Sequence, residues 1–76
     1  MNNARRKNLH RILELTSRLA EALEKVRDQE QEALDNIPES FYGSERYELA
    51  EEAINNLDTA LEALVTAAEY IASAAE

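Results

Sequence analysis

Cysteine and tryptophan are absent from this chain, and glycine, proline, phenylalanine and histidine each occur once among its 76 residues. Without cysteine there is no disulfide, and a single histidine, His10, leaves too few ligands for structural zinc, which takes about four. The same inventory excludes a Cys-His catalytic pair, a glycine-rich phosphate loop and a glycine-flanked serine nucleophile. Ser17 follows His10 by seven residues and can share its helical face, but nothing indicates a pocket or oxyanion donors. We therefore expect no enzyme, no catalytic residue and no cofactor.

Long apolar segments are missing as well. Residues 1–11 are polar and basic, which argues against a secretory signal, and no stretch approaches the roughly 18 apolar residues of a membrane span. A chain of this length buries only about 60% of the surface that it exposes when unfolded. We therefore expect a cytoplasmic protein, without membrane contact, that gains stability by assembling with other chains.

The net charge of -8 is concentrated in one third of the chain. Residues 28–52 contain nine acidic residues and one basic residue, Arg46, whereas residues 1–13 contain four basic residues and no acidic one. In an antiparallel hairpin this distribution predicts a strongly negative tip, here called the acidic tip (residues 28–52), and a locally basic opposite end, the basic end (residues 1–13). Because an acidic protein repels phosphates, we expect no binding of extended nucleic acid.

The first half of the chain has the pattern of a long amphipathic helix. Asn2 or Asn3 can cap its first turn, and Pro38 ends it. Apolar positions recur in alternating steps of three and four, which is the spacing of a coiled-coil seam. We predict that the seam consists of Leu9, Ile12, Thr16, Leu19, Leu23, Val26, Glu30, Ala33 and Ile37. Further apolar residues widen this stripe, namely Leu13, Ala20 and Leu34 on one side and Leu15 and Ala22 on the other.

The connection between the helices holds most of the rare residues. Asn36 and Glu39 fit a capping pattern around a single turn that contains Pro38. Gly43 can adopt the left-handed conformation that ends this turn, and Ser44 can cap the second helix. We therefore predict a structured connection at the centre of the acidic tip.

The second helix combines an aliphatic ridge with an alanine heptad. The ridge consists of Ile54, Leu57, Leu61, Leu64 and Ile71, and alanine recurs every seven residues as Ala53, Ala60, Ala67 and Ala74. Small residues in heptad register let another helix approach closely. From residue 60 onward the polar residues form one narrow stripe, so more apolar surface remains than a single facing helix can cover.

These patterns predict an all-α fold, an antiparallel two-helix hairpin that forms a single domain over residues 1–76. We expect helices over about residues 3–36 and 45–75, with the structured connection over about residues 36–44. The wide apolar surface favours assembly into a four-helix bundle or a larger homo-oligomer. The alternative is a lone hairpin whose alanine-rich end is simply a good helix former.

The acidic tip carries the first set of candidate binding residues. Aromatic residues beside proline and glycine can simply close a hairpin, which we expect for Phe41 and Tyr47. Tyr42 and Arg46 are instead residue types typical of interfaces. The candidate partner-binding residues are Tyr42, Arg46, Glu39, Glu45 and Glu48.

The basic end carries the second set. Cations at the positive end of a helix dipole are unfavourable by on the order of a few tenths of a kcal/mol each. Glu69 and Glu76 at the neighbouring end of the second helix can offset this cost, or an anionic ligand can be bound there. The residues that would hold such a ligand are Arg5, Arg6, His10 and Arg11.

Acids from both helices also raise the question of a metal site. Three of them lie on each helix next to the connection: Glu30, Glu32 and Asp35 on the first, and Glu48, Glu51 and Glu52 on the second. Such carboxylates suit Mg²⁺ or Ca²⁺. However, the chain has no loop with alternating acidic ligands, and it lacks the Glu-x-x-His motif of di-metal bundles, since Lys7 precedes His10 by three residues. We therefore expect a solvated acidic surface and no metal.

Residues 28–57 read DQEQEALDNIPESFYGSERYELAEEAINNL. This stretch resembles a family of small helical proteins from phages and prophages, which carry an acid-rich D-E-E-Q-E, then D-N-x-P-E, then S-E-R before a helix rich in acids and alanine. Gln29 stands where that family commonly has an acid, and outside residues 28–57 only the heptad pattern agrees. The resemblance implies a small viral accessory protein located in the host cell cytoplasm. Such proteins often sequester a host protein or a signalling nucleotide of antiviral defence.

Three functions follow from these observations. Our leading expectation is a non-enzymatic accessory protein that sequesters or inhibits a host factor through its acidic tip, as an anti-defence protein would. The second is an oligomeric sponge that binds a small anionic signalling nucleotide through arginines. The third is a purely structural oligomerisation module.

Overall fold

The computed structural model describes all 76 residues and consists of two long helices packed antiparallel. Helix α1 spans Asn3–Asp35 and helix α2 spans Glu45–Ala74, with a short 3-10 turn at Glu39–Phe41 between them. The predicted all-α hairpin is thereby confirmed. The molecule is a rod with Cα extents of 59 × 15 × 12 Å. Neither helix combines the length and apolarity needed to cross a membrane.

Side-chain caps fix the beginning of each helix. The Asn2 side-chain oxygen accepts a 2.8 Å hydrogen bond from the backbone N–H of Arg5, and the Ser44 hydroxyl oxygen accepts a 3.2 Å bond from the backbone N–H of Tyr47. Gly43 precedes Ser44 with a φ of +83°, a region that only glycine enters easily. The predicted roles of Gly43 and Ser44 are therefore confirmed.

The predicted role of Asn36 is wrong. Asn36 does not cap the short turn, because it still has a helical conformation and its backbone N–H donates to the carbonyl oxygen of Glu32. It closes α1 instead. The 3-10 turn begins only after Pro38, and no side chain caps it.

The helices pack through a seam that differs from the predicted one in every second position. On α1 and just after it, the half-buried and buried residues of this seam are Leu9, Leu13, Thr16, Ala20, Leu23, Arg27, Glu30, Leu34 and Ile37. On α2 they include Tyr47, Ala50 and Ala68, besides the whole predicted ridge. Ile12, Leu19, Val26 and Ala33, which were predicted to join the seam, are exposed. The apolar stripe on α1 is wide enough to contain two alternative seams. The hairpin packs through the seam that contains Arg27.

Arg27 lies in this apolar seam because α2 supplies its counter-charge. Its Nε donates a 2.8 Å hydrogen bond to Asp58 Oδ1, and Asp28 lies 3.5 Å away on the other side. The hydrogen bond to the Asp58 carboxylate raises the pKa of Arg27 further above its usual value. The pair links the C-terminal third of α1 to the middle of α2 and fixes their relative height.

The hairpin buries very little of itself. Only Leu34, Ile54 and Ala75 are buried, and the accessible surface is 5980 Å². A compact monomer of the same mass exposes about 4,700 Å² by the usual scaling of surface with mass. The surplus, about 1,300 Å², is comparable to the area that one partner contributes to a stable protein interface.

Candidate functional site

One side of the hairpin carries a second apolar seam, which we call the apolar face. On α1 it consists of Ile12, Leu15, Leu19, Ala22, Val26 and Ala33. On α2 it consists of Leu49, Ala53, Ala60, Ala63, Ala67, Tyr70 and Ala74. These residues recur in steps of three, four or seven, as a helix-packing surface requires, and all of them are exposed or only half-buried. The predicted alanine heptad therefore lies beside the intramolecular seam, where it is free to contact another chain.

Two surface hollows show that the α1 residues and the α2 residues of the apolar face lie on the same side of the hairpin. Ala33 of α1 lines one hollow together with Arg46 and Leu49 of α2. Gln31 of α1 and Glu51 of α2 line a different hollow on the opposite side. The side that contains Ala33 on α1 is therefore the side that contains Leu49 on α2, and the apolar face is continuous across both helices.

The opposite side of the hairpin is more polar. Near the connection it presents Asp35, Glu51 and Asn55. Towards the open end, Val65 is 55% exposed and lies in a groove with Ser17 and Ala72. Among the exposed large aliphatic side chains of the two helices, only Val65 lies on this side.

Aromatic rings organise the acidic tip differently from the prediction. The ring of Tyr42 packs against that of Tyr47, with centroids 4.8 Å apart and an interplanar angle of 40°. Tyr47 closes the seam, as predicted. Phe41 does not close the hairpin, because it extends from the short turn into solvent and is 58% exposed. Tyr42 has both a packing contact and an exposed surface, at 52%.

Burial shapes the chemistry of the Tyr42–Tyr47 pair. Partial burial of the Tyr47 hydroxyl raises its pKa above the usual value for tyrosine, and the negative charges of Glu51 and Asp35 raise it further. Tyr47 is therefore neutral near pH 7, and it lies with Glu51 and Asn55 on the polar side of the hairpin, away from the apolar face. Glu39, Glu45 and Glu48 are all exposed around the connection.

Arg46 and Phe41 line a hollow of about 420 Å³ at the tip. The remaining lining residues are Asn36, Ile37, Pro38 and Ser44. Arg46 makes no ion pair, although Glu30 lines the adjoining hollow with it. The tip thus combines an unpaired guanidinium with an exposed aromatic ring, within an acidic surrounding.

The candidate anion ligands at the basic end do not converge. No cavity is lined by Arg5, Arg6, His10 or Arg11, although Arg6 and His10 are four residues apart and share one face of α1. The only side-chain hydrogen bond among them is 3.1 Å long, from Arg6 to Asn3. Arg27 of α1 and Asp58 of α2 lie at the same height along the hairpin. Because the helices are antiparallel, a residue of α1 and a residue of α2 lie at the same height when their numbers add up to about 85. The end of α2 at Ala74 is therefore level with Arg11, and the first two turns of α1 extend beyond it.

Acidic residues nowhere form a metal cage. No group of three or more His, Asp or Glu side chains comes together in a way that could hold a metal ion. The six acids considered from the sequence spread over several faces of the two helices.

Sequence reasoning missed the pair of Arg27 and Asp58 and the second seam. The signal for Arg27 was present, because the series Leu13, Ala20 and Leu34 has a gap of fourteen residues that Arg27 fills. The sequence alone does not explain a charge at that point, and only the position of Asp58 across the seam shows why it is tolerated. Comparisons with protein-family models, with curated proteins and with solved structures found no match for this chain.

Proposed function

We propose that this protein is a non-enzymatic binding protein: a homo-oligomeric helical scaffold that captures a partner with a basic surface at its acidic tip. The observation that carries this proposal is the architecture of the tip. Caps and a left-handed glycine fix its backbone, yet Phe41 and Tyr42 remain more than half exposed amid acidic side chains. Exposed aromatic residues held rigidly are typical anchors of protein interfaces.

The apolar face supports the oligomeric part of the proposal. Two hairpins that cover each other's apolar faces make a four-helix bundle, in which coiled-coil spacing continues across the contact. A purely structural module would need only this face and would leave the ordered aromatic residues of the tip without a role. For this reason we place the binding activity at the tip and the assembly at the face.

The resemblance of residues 28–57 to small phage and prophage proteins supports a more specific form of the proposal. The partner is then a host factor, which the protein sequesters or inhibits in the host cytoplasm to counter antiviral defence. An acidic tip favours a partner with a basic surface, because complementary charge accelerates association and selects among partners.

Charge reversal provides the test. In Glu45→Lys with Glu48→Lys, the acidic tip loses two negative charges and gains two positive ones. The matched control is Glu62→Lys with Glu69→Lys, which makes the same change of net charge on α2 away from the tip. Each protein, with all 76 residues, is immobilised and exposed to host extract, with salt raised from about 0.1 M to about 1 M, which shortens the Debye length from about 10 Å to about 3 Å.

At low salt we expect one host protein to bind the wild type and the control equally and not to bind the tip variant. At high salt we expect it to bind none of the three proteins. The double change Tyr42→Ala, Arg46→Ala should abolish binding even at low salt, since it removes anchors rather than net acid. Identical sets of captured proteins for the wild type and both tip variants would contradict the proposal and leave a structural module.

A second candidate function is supported by the hollow beside Arg46. Its volume lies within the range of small-molecule sites, and Phe41 offers a ring on which a nucleobase can stack. An anionic signalling nucleotide would pair with the free guanidinium of Arg46. Thermal shift with cyclic dinucleotides and ADP-ribose derivatives tests this candidate, because a tight ligand raises the melting temperature of the wild type but not of Arg46→Ala. No shift with any nucleotide would exclude it.

A further inference from the structure

We infer that the apolar face is covered by a second copy of this chain in antiparallel orientation, so that the acidic tip of each copy lies beside the basic end of the other. This inference rests on the homo-oligomeric assembly proposed above and specifies its geometry. It is carried by the area of the face, by the positions of its residues along the helices, and by the separation of charge.

The area of the face fits a partner of the same size. The Cα extents of 59 Å by 15 Å give one side of the hairpin a flat projection of about 900 Å², close to the roughly 800 Å² that each partner contributes to a standard interface. The surplus of exposed surface over a compact monomer is of the same order. A shorter helix would leave part of the face uncovered, whereas a second hairpin matches its full length and width.

The apolar residues of both helices are centred at one height. On α1 the face runs from Ile12 to Ala33, and on α2 from Leu49 to Tyr70 and Ala74. The midpoints of these two stretches lie near residue 22 of α1 and residue 62 of α2. These two numbers add up to about 85, so the midpoints lie at the same height along the hairpin. A two-fold axis that crosses both midpoints at right angles to the helices therefore superimposes the face on itself. This axis sets α1 against α1 and α2 against α2, both antiparallel.

This register places large side chains opposite small ones. Level residues of the two α1 helices have numbers that add up to about 45, so Ile12 faces Ala33 of the partner subunit. On the two α2 helices the sum is about 123, which places Tyr70, 74% exposed in the hairpin, opposite Ala53 of the partner subunit. Interdigitation of large and small residues is what a well-packed interface requires.

Charge selects this orientation over the parallel one. In a parallel dimer the two acidic tips, each with a net charge of -8, would lie side by side. In the antiparallel dimer Arg5, which precedes Ile12 by one heptad and so lies on the same side, is level with the connection of the partner subunit. Arg6 and Lys7 follow at nearly the same height, on neighbouring sides of α1. The bases at the unfavourable end of the α1 dipole thus lie at the height of the partner's acidic tip, whose negative field offsets their cost.

Engineered disulfides distinguish the two orientations, because the chain has no cysteine of its own. A disulfide needs Cα atoms within about 7 Å. In the antiparallel dimer Ala22 lies next to the two-fold axis, so Ala22→Cys should cross-link to itself under mild oxidation. In a parallel dimer α1 faces α2, so Ala22→Cys alone would stay uncoupled and would cross-link only when mixed with Ala63→Cys. Ser17→Cys, on the opposite side of the hairpin, is the matched control.

We expect a wild-type dimer by light scattering, most of Ala22→Cys as a disulfide-linked dimer on a non-reducing gel, and no such band for Ser17→Cys. A dimer in which Ala22→Cys cross-links only with Ala63→Cys would overturn the antiparallel geometry and leave the proposed assembly intact. A monomer at every concentration would overturn both. In the antiparallel case, reversal of Arg5, Arg6 and Lys7 to glutamate should weaken the dimer at least tenfold.

Discussion

Arg27 shows at the scale of a single residue how a charge can occupy a helix-packing position. Its aliphatic stem lies in the seam, while the guanidinium reaches Asp58 on the edge of α2, and both side chains keep contact with water at 26% and 46% exposure. An ion pair that remains solvated costs little to form and stabilises little. Its main effect is on register, because Arg27 is half-buried only when α1 presents Leu13, Ala20 and Leu34 to α2.

A double-mutant cycle measures this pair. We predict that Arg27→Gln and Asp58→Asn show a coupling energy of about 0.2 to 1 kcal/mol in the free energy of unfolding, as expected for a partly exposed pair. Chemical denaturation at one fixed protein concentration gives the four values. Arg18→Gln, which removes an exposed arginine without an ion pair, serves as the control and should change stability least. A coupling of about 3 kcal/mol or more would show that the pair is buried in solution.

Tyr47 makes stability depend on alkaline pH. Because its folded-state pKa is raised, the contribution of the neutral ring is fully present below about pH 10, the usual value for tyrosine, and is lost as pH rises through the raised pKa. We predict that the free energy of unfolding falls above pH 10 and that Tyr47→Phe reduces this fall. Denaturation curves at several pH values check it. Equal slopes for the wild type and Tyr47→Phe would contradict the burial of this hydroxyl.

At the scale of elements, the connection is held by backbone conformation more than by packing. Gly43 has a φ of +83°, and a Cβ added there would meet no atom within 4 Å, so the only penalty of a side chain is backbone strain. We predict that Gly43→Ala costs about 1 to 2 kcal/mol in the free energy of unfolding. Gly43→Asn should cost less, since asparagine tolerates this region. Thermal unfolding of both variants decides it, and a neutral Gly43→Ala would mean that the connection relaxes to another conformation.

The ends of both helices could be read from the sequence because they depend on neighbouring residues alone. Asn2, Ser44, Gly43 and Pro38 carry their conformational preferences wherever they occur. The seam could not be read in the same way. Ile12, Leu19 and Val26 form an apolar stripe on α1 that is as good as the stripe that packs against α2. The choice between the two stripes depends on which residues of α2 face α1, and this is a property of the pair of helices.

The same limit applies to the candidate site. The sequence suggests Tyr42, Arg46 and the surrounding acids as candidates, and their location at the connection follows from the hairpin. It did not reveal that Tyr42 packs on Tyr47 while Phe41 is exposed, because that depends on the path of a three-residue turn.

At the scale of the whole molecule, the proposed assembly makes the hairpin one half of a helical bundle. Val26 lies on the apolar face and Val65 on the opposite side, with nearly equal exposure of 51% and 55%, so the same change at each gives a matched pair. We predict that Val26→Asn weakens self-association at least tenfold, because each copy loses the burial of a valine, worth about 1.5 kcal/mol or more. Val65→Asn should leave self-association unchanged. Equal effects at both positions, measured by sedimentation equilibrium, would show that the apolar face is not the interface.

The absolute mass in solution tests the central claim most directly, namely that this hairpin is completed by another copy of itself. Light scattering coupled to size exclusion gives the mass without assumptions about shape, which matters for a rod 59 Å long. The chain has a mass of 8.6 kDa, and we predict a species of about 17 kDa, or a higher whole multiple, at micromolar concentration. A mass of 8.6 kDa that persists as the concentration is raised would contradict the assembly and every composite surface derived from it.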